Sequence, residues 1–176
     1  MTAANPVFAA FAADADRLVD RPHAIAARLR DLLALDGWLA PADRRPGEDR
    51  YRQHLLHVSA DRRLSVVALV WRPGQRTSIH DHVAWCIVGV YRGIEREDRF
   101  RLVDRGGRRY LEPTGSVVAR RGHVETLVPP FEEDIHAVTA TGGRQAISIH
   151  VYGADIEARG SSIHRIYDDV PLLAAA

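Results

Sequence analysis

The sequence contains no lysine: all 24 basic residues are arginine, set against 23 acidic residues for a formal net charge of +1 over 176 residues. With charge this balanced and no long run of one sign, the electrostatic footprint of a nucleic-acid binder is missing. The arginine bias is as well explained by codon usage in a GC-rich genome as by selection for bidentate carboxylate binding. Cys86 is the lone cysteine, so no intrachain disulfide can form, and no basic segment followed by an apolar core and cleavage site marks the N-terminus. A cytoplasmic setting is expected. No apolar stretch approaches bilayer length; the longest, Leu64 to Trp71, is interrupted by Ser65 and fits a buried strand, so no membrane role is expected.

What is present reads as one domain, residues 1–176, large enough to bury a core and short for two. Residues 1–40 form an Ala- and Leu-rich helical cap. One helix is expected over Pro6 to Val19. A second is expected from Pro22, with Ile25, Leu29, Leu32 and Leu33 as its apolar stripe and Gly37 near its end. A loop rich in proline, glycine and charge covers Pro41 to Asp49. Short strands follow across 51–168: Tyr51 to Val58, Leu64 to Trp71, Ala84 to Tyr91, Ile94 to Val103, Ser116 to Arg120, Val124 to Val128, His136 to Thr141 and Gln145 to Tyr152. Many short strands separated by tight turns predict a mainly β chain closed into a small barrel or double sheet, which hides its edges.

His80 and His82 are the most informative pair. Residues i and i+2 of a strand share a face, so both imidazoles can serve one metal ion. They sit in Gly74-x5-His80-x-His82-x3-Cys86-x6-Gly93, which resembles the first motif of the cupins, jelly-roll-like barrels also described as double-stranded β-helices. Cys86 occupies the place where many cupins carry a glutamate ligand. The second cupin motif adds one more histidine, and His136 in Pro129-Pro-Phe131-Glu-Glu133-Asp-Ile-His136 is the match, although Phe131 and Glu133 replace the usual Pro-x-Gly. Three neutral imidazoles leave the charge of a divalent ion uncancelled and up to three octahedral positions open, a setting for an anionic chelating substrate and dioxygen. His23, His54, His57, His123 and His164 are read as surface or hydrogen-bonded residues.

Period-two spacing also sends Ser148, His150 and Tyr152 to one strand face, where a hydroxyl, an imidazole and a phenol can form a hydrogen-bonded chain. Together with Ser78-Ile-His80-Asp-His82, Asp134-Ile-His136 and Tyr51-Arg-Gln53, this Ser-x-His-x-Tyr element resembles the thiol dioxygenase branch of the cupins, the cysteine dioxygenase family, over about residues 51–153. The resemblance implies ferrous iron, Fe(2+), on His80, His82 and His136. It also implies that a small thiol carboxylate and O2 are converted to a sulfinate, and that Tyr152 orients oxygen or the substrate carboxylate. Relatives of the mammalian type join a cysteine matching Cys86 to a tyrosine matching Tyr152 in a thioether. Cysteine-specific relatives carry arginine where Gln53 stands; glutamine there resembles the 3-mercaptopropionate dioxygenases. With Gln53 offering a single amide edge, Arg165 is the candidate second anchor for the acid. Cysteine dioxygenase proper, or a metal-binding cupin that holds a small ligand without turnover, stays open, as does the oligomeric state.

Overall fold

Asn5 starts the first helix, its side-chain oxygen accepting from the Val7 N–H at 3.0 Å, and Pro6 follows at a position where its missing N–H has no partner to lose. The computed structural model describes residues 5–128 and 134–173. Helix α1 spans Pro6–Arg17 and α2 spans Pro22–Leu33, so both cap helices form as expected, each ending a little earlier than the apolar pattern predicts. None of the described helices is long and apolar enough to cross a membrane.

Among the described residues ten strands follow: β1 Arg52–Val58, β2 Ser65–Trp71, β3 His80–His82, β4 Cys86–Arg92, β5 Ile94–Arg105, β6 Arg108–Arg120, β7 Val124–Leu127, β8 His136–Ala140, β9 Ala146–Tyr152 and β10 Ile163–Ile166, with a short helix α3, Ile156–Arg159, before the last. They form two five-stranded sheets, ordered β1-β2-β9-β4-β7 and β10-β3-β8-β5-β6, whose ladders are antiparallel. The expected mainly β, double-stranded β-helix architecture with an N-terminal helical cap is what the chain adopts.

The first sheet is covered on both faces. Ile147, Ile149 and Val151 of β9 pack with Val66, Ala68 and Val70 of β2 against the cap helices, through Phe8, Phe11, Ile25, Leu29 and Leu33. On the other face, Val67, Leu69, Trp71, Cys86 and Tyr152 meet Val138 and Ala140 of the second sheet inside the barrel. This two-sided burial explains why β2 and β9 are buried at every position, and why Leu64 to Trp71 is apolar without a clean alternation. Close approach of α2 depends on Gly89, where an added Cβ would lie 2.6 Å from Leu33 and 2.8 Å from Leu29. Gly93, the motif's last glycine, has φ +83° and lies against the Ala146 backbone, where a Cβ would sit 2.7 Å from Cα; both constraints admit only glycine.

Two strands depart from the sequence reading. β6, expected from Ser116, runs from Arg108 because the turn after Arg105 folds β5 and β6 into one long hairpin paired from Ile94↔Arg120 to Arg105↔Arg108. Most of β6 faces outward, so no alternation of buried apolar residues marked its first half. β10 is a short edge strand on β3, again with little buried apolar surface to signal it.

Candidate metal centre

The turn at Gly74 returns the chain from β2 toward the second sheet, where β3 is long enough only to carry His80, Asp81 and His82. His80 and His82 face inward while Asp81 turns out to accept from the Tyr167 hydroxyl at 2.8 Å. In the β3–β8 ladder His80 lies directly opposite His136. The three rings therefore converge, with centroids 4.8 to 5.0 Å apart and ligand atoms all within 4.8 Å of one another.

Each ring has its Nδ1 engaged. His80 Nδ1 donates to the Ser78 carbonyl at 2.9 Å, His82 Nδ1 to Asp134 Oδ2 at 3.2 Å and His136 Nδ1 to Glu97 Oε1 at 2.7 Å. Nδ1–H donation leaves the lone pair on Nε2 in all three, the tautomer a metal ion requires. Burial, followed by the mutual proximity of the rings, pushes His80 down to about 3. Burial likewise lowers His82, against the pull of Asp134. Three buried, pre-oriented imidazoles are a donor set that fits a divalent transition metal. The nearby carboxylates orient rings and do not belong to the ligand set: burial works to raise Glu97 and Asp134, but hydrogen bonds from His136 and Arg99, and from the His82 ring and backbone N–H, hold both below the usual range. Cys86, in the place of the motif's glutamate, lies on β4 beside Tyr152 and His150, and the described cluster has no acidic ligand.

The Ser-x-His-x-Tyr element forms the chain its spacing allows. Ser148 Oγ and His150 Nε2 are 3.0 Å apart, and His150 Nδ1 and the Tyr152 hydroxyl 3.1 Å. Trp71 Nε1 donates to Ser148 Oγ at 3.2 Å. The Tyr152 ring lies 6.1 Å from that of His82, so the chain runs from the barrel interior to the edge of the histidine cluster. Burial lowers His150 to about 3 and raises Tyr152 well above its ordinary value; both are neutral near pH 7.

A chamber of ≈ 20 Å³ over the histidines is walled by Tyr51, Gln53, Trp71 and Tyr152 among others, and Gln53 also borders a wider recess of ≈ 680 Å³ formed by Gly47 to Gln53 and Gly160 to Ile163. Arg52 lines the recess but not the chamber, as strand alternation predicts. Arg165 is exposed on β10, outside the lining of both spaces, with its backbone N–H bound to Asp81. Sequence reasoning did not assign the ring-orienting roles of Asp134 and Glu97, nor the Trp71 contact. Asp134 was within reach, two residues before a candidate ligand; Glu97 reads in sequence as one more charge on a polar hairpin.

No family model matches the chain. Among solved structures it is similar to the capsular polysaccharide assembling protein CapF of Staphylococcus aureus, with a TM-score of 0.51 and 14% identity over 72% of this chain and 33% of that one. An RmlC-like cupin from Desulfovibrio desulfuricans aligns with a TM-score of 0.46 and 17% identity over 68% and 97% of the two chains. An oxalate oxidase in complex with glycolate, a substrate analogue, aligns with a TM-score of 0.48 and 17% identity over 70% and 60%. At these identities the likeness concerns the fold. Two apposed antiparallel sheets, a helical cap and a three-histidine cluster in the barrel give this chain the cupin fold with a candidate metal centre.

Proposed function

We propose that the protein is a non-haem iron thiol dioxygenase that converts a small thiol carboxylate, 3-mercaptopropionate in preference to cysteine, to its sulfinate. The observation that carries this reading is the adjacency of two units: a carboxylate-free trio of buried imidazoles, and the Ser148–His150–Tyr152 chain whose phenol ends beside His82. The reaction balances without a further reductant, since sulfur loses four electrons, dioxygen gains four, and both oxygen atoms remain in the product.

His80, His82 and His136 would hold ferrous iron, which when bound supplies open positions, Lewis acidity toward a thiol and redox chemistry with dioxygen. Tyr152 serves as a neutral hydrogen-bond donor at the chamber wall; its raised pKa keeps the proton on oxygen. His150 accepts or donates at Nδ1 to fix the phenol's orientation, and Ser148 holds the other face of the ring. Gln53 and Tyr51 close the outer side of the chamber, where the substrate's carboxylate would lie. The aromatic contact of Tyr51 with Trp71, at 4.4 Å between centroids, fixes that wall.

Oxygen uptake by protein purified anaerobically and loaded with iron tests the reading, with 3-mercaptopropionate, cysteine and mercaptosuccinate compared side by side. Fastest uptake with 3-mercaptopropionate, with sulfinate as product, is the expected result; no uptake with any thiol overturns it.

A further inference from the structure

β3 presents two of the three histidines on a strand of only three residues, His80–His82. A strand that short takes its position from what flanks it. On the side of β8 the support is slight: one ladder pair, His80↔His136, and the Asp134 carboxylate on the His82 N–H at 2.9 Å. On the other side residues 162–168 run along its whole length. Val83 N–H donates to the Ser162 carbonyl at 3.0 Å, Tyr167 N–H to the Ile79 carbonyl at 2.8 Å, and Ile79 N–H to Asp168 Oδ1 at 2.7 Å. The ligand strand is thus held at both ends by the segment that contains β10.

Asp81 closes the middle. The β3–β10 register shifts between Ile163 and Arg165, and an irregularity of this kind interrupts the ladder and leaves a backbone group in need of another partner. Asp81 Oδ1 accepts the Arg165 N–H at 2.7 Å, with His164 Nδ1 3.5 Å away, and Oδ2 accepts from the Tyr167 hydroxyl at 2.8 Å. The Tyr167 ring packs in the buried cluster of Ile79, Phe100, Leu111 and Ala137. Its hydroxyl is therefore a fixed point, and the carboxylate that turns outward between the two ligands is tied to it. We propose that Asp81 is a positioning residue of the metal centre, and that its bonds to Tyr167 and Arg165 make docking of residues 162–168 and binding of the metal one linked equilibrium.

The physical reason is the tolerance of a metal site. Ligand atoms must stay within about 0.5 Å of their productive places, and a strand with a single pair on one side can shift about that pair unless the other side is held. Whatever favours the held strand favours the metal, and by reciprocity the metal favours the held strand. The same segment supplies Ser162 and Ile163 to the wall of the chamber, so the brace behind the ligands is continuous with the wall in front of them. The assignment concerns metal affinity and stands apart from the reaction proposed above.

Zinc binding to the full chain, measured by competition with a chelator, tests it. Tyr167→Phe keeps the buried ring and deletes the hydroxyl alone; it is expected to lower zinc affinity about tenfold, as loss of a hydrogen bond to a charged group does. Asp81→Ala is expected to lower it further, and Asp81→Asn, which retains an acceptor oxygen, to recover part of the loss. Gly93→Ala, which strains the turn between β4 and β5, is expected to lower stability and leave zinc affinity unchanged. Hydrogen exchange supplies a readout that a purely structural role would not move. In the wild type, zinc slows exchange of the Arg165 and Tyr167 N–H groups about tenfold, and in zinc-saturated Tyr167→Phe this slowing shrinks. Wild-type affinity in both Tyr167→Phe and Asp81→Ala, or exchange of the two N–H groups that is indifferent to zinc, overturns the proposal, and the wild-type exchange decides even if a variant does not fold. A wild type that binds no zinc removes the metal centre and this proposal together. Linkage to zinc without oxygen uptake on any thiol leaves the Asp81 assignment standing and removes the dioxygenase reading instead.

Discussion

Cys86 and Tyr152 are direct partners across the β4–β9 ladder, with both side chains inside the barrel and the thiol and the phenol both facing His150 Nδ1, at 4.0 and 3.1 Å. Burial raises the thiol pKa, so Cys86 is a protonated small apolar group and not a free nucleophile. Thioether formation here replaces an S–H and a ring C–H by one C–S bond, and dioxygen at the iron-loaded site takes the pair of hydrogens. Iron-loaded, turned-over protein is expected to run as a doublet on a denaturing gel, with the faster band lighter by those hydrogens in mass spectrometry. Cys86→Ser is expected to collapse the doublet; a single band in both proteins counts against the crosslink.

Removing a ligand differs from removing its support. His136→Ala is expected to abolish stoichiometric iron binding. Glu97→Gln and Asp134→Asn keep the three imidazoles but loosen the tautomer and orientation that the carboxylates impose, which costs about 10- to 100-fold in metal affinity. Competition with a chelator of known affinity measures both effects.

Gln53 borders the chamber from β1. A guanidinium in its place offers a bidentate fork to a carboxylate, where an amide offers a single donor edge. Gln53→Arg is expected to raise kcat/KM for 3-mercaptopropionate and cysteine alike by about tenfold, since hydrogen bonds to charged groups contribute about 1.5–3 kcal/mol. Unchanged kcat/KM values for both acids contradict a carboxylate-binding role.

The Gly93 site is closed to larger residues by its φ of +83° and by contact with the Ala146 backbone. Gly93→Ala is expected to destabilise the fold by about 1–3 kcal/mol, as overpacking does, with backbone strain in addition. Urea denaturation reads this as a lower midpoint at unchanged slope.

Glu95 carries a stability signature of its own. Its ordinary value of 4.5 is raised to about 7 by burial. The native state therefore retains a proton that the unfolded chain has lost between those two pH values, and stability falls as pH rises through the interval. The penalty is absent below the unfolded value and complete above the folded one, on the order of 3 kcal/mol. Glu95→Gln is expected to exceed wild type in stability at mildly alkaline pH by that order and to match it near pH 4; parallel curves at the two pH values count against a buried, ionisable Glu95.

Elements with a buried apolar face were legible in the sequence, because burial imposes a period. The helices announced themselves through Ile25, Leu29 and Leu33, β2 through a nearly continuous apolar run, and β9 through Ile147, Ile149 and Val151 alternating with Ser148, His150 and Tyr152. The first half of β6 and all of β10 were not, since strands that face outward leave no such pattern. Phe131 and Glu133, where the second motif departs from its usual form, lie outside the described residues.

The sequence by itself determined which side chains share a strand face: His80 with His82, and Ser148 with His150 and Tyr152. Spacing along an extended chain is a local property, fixed by backbone geometry at two residues per repeat. Tertiary structure alone decided that His136 faces His80 and takes its orientation from Glu97, and that Cys86 faces Tyr152. Those encounters depend on ladder register and on the apposition of two sheets, which bring together residues far apart along the chain only once the whole barrel has closed.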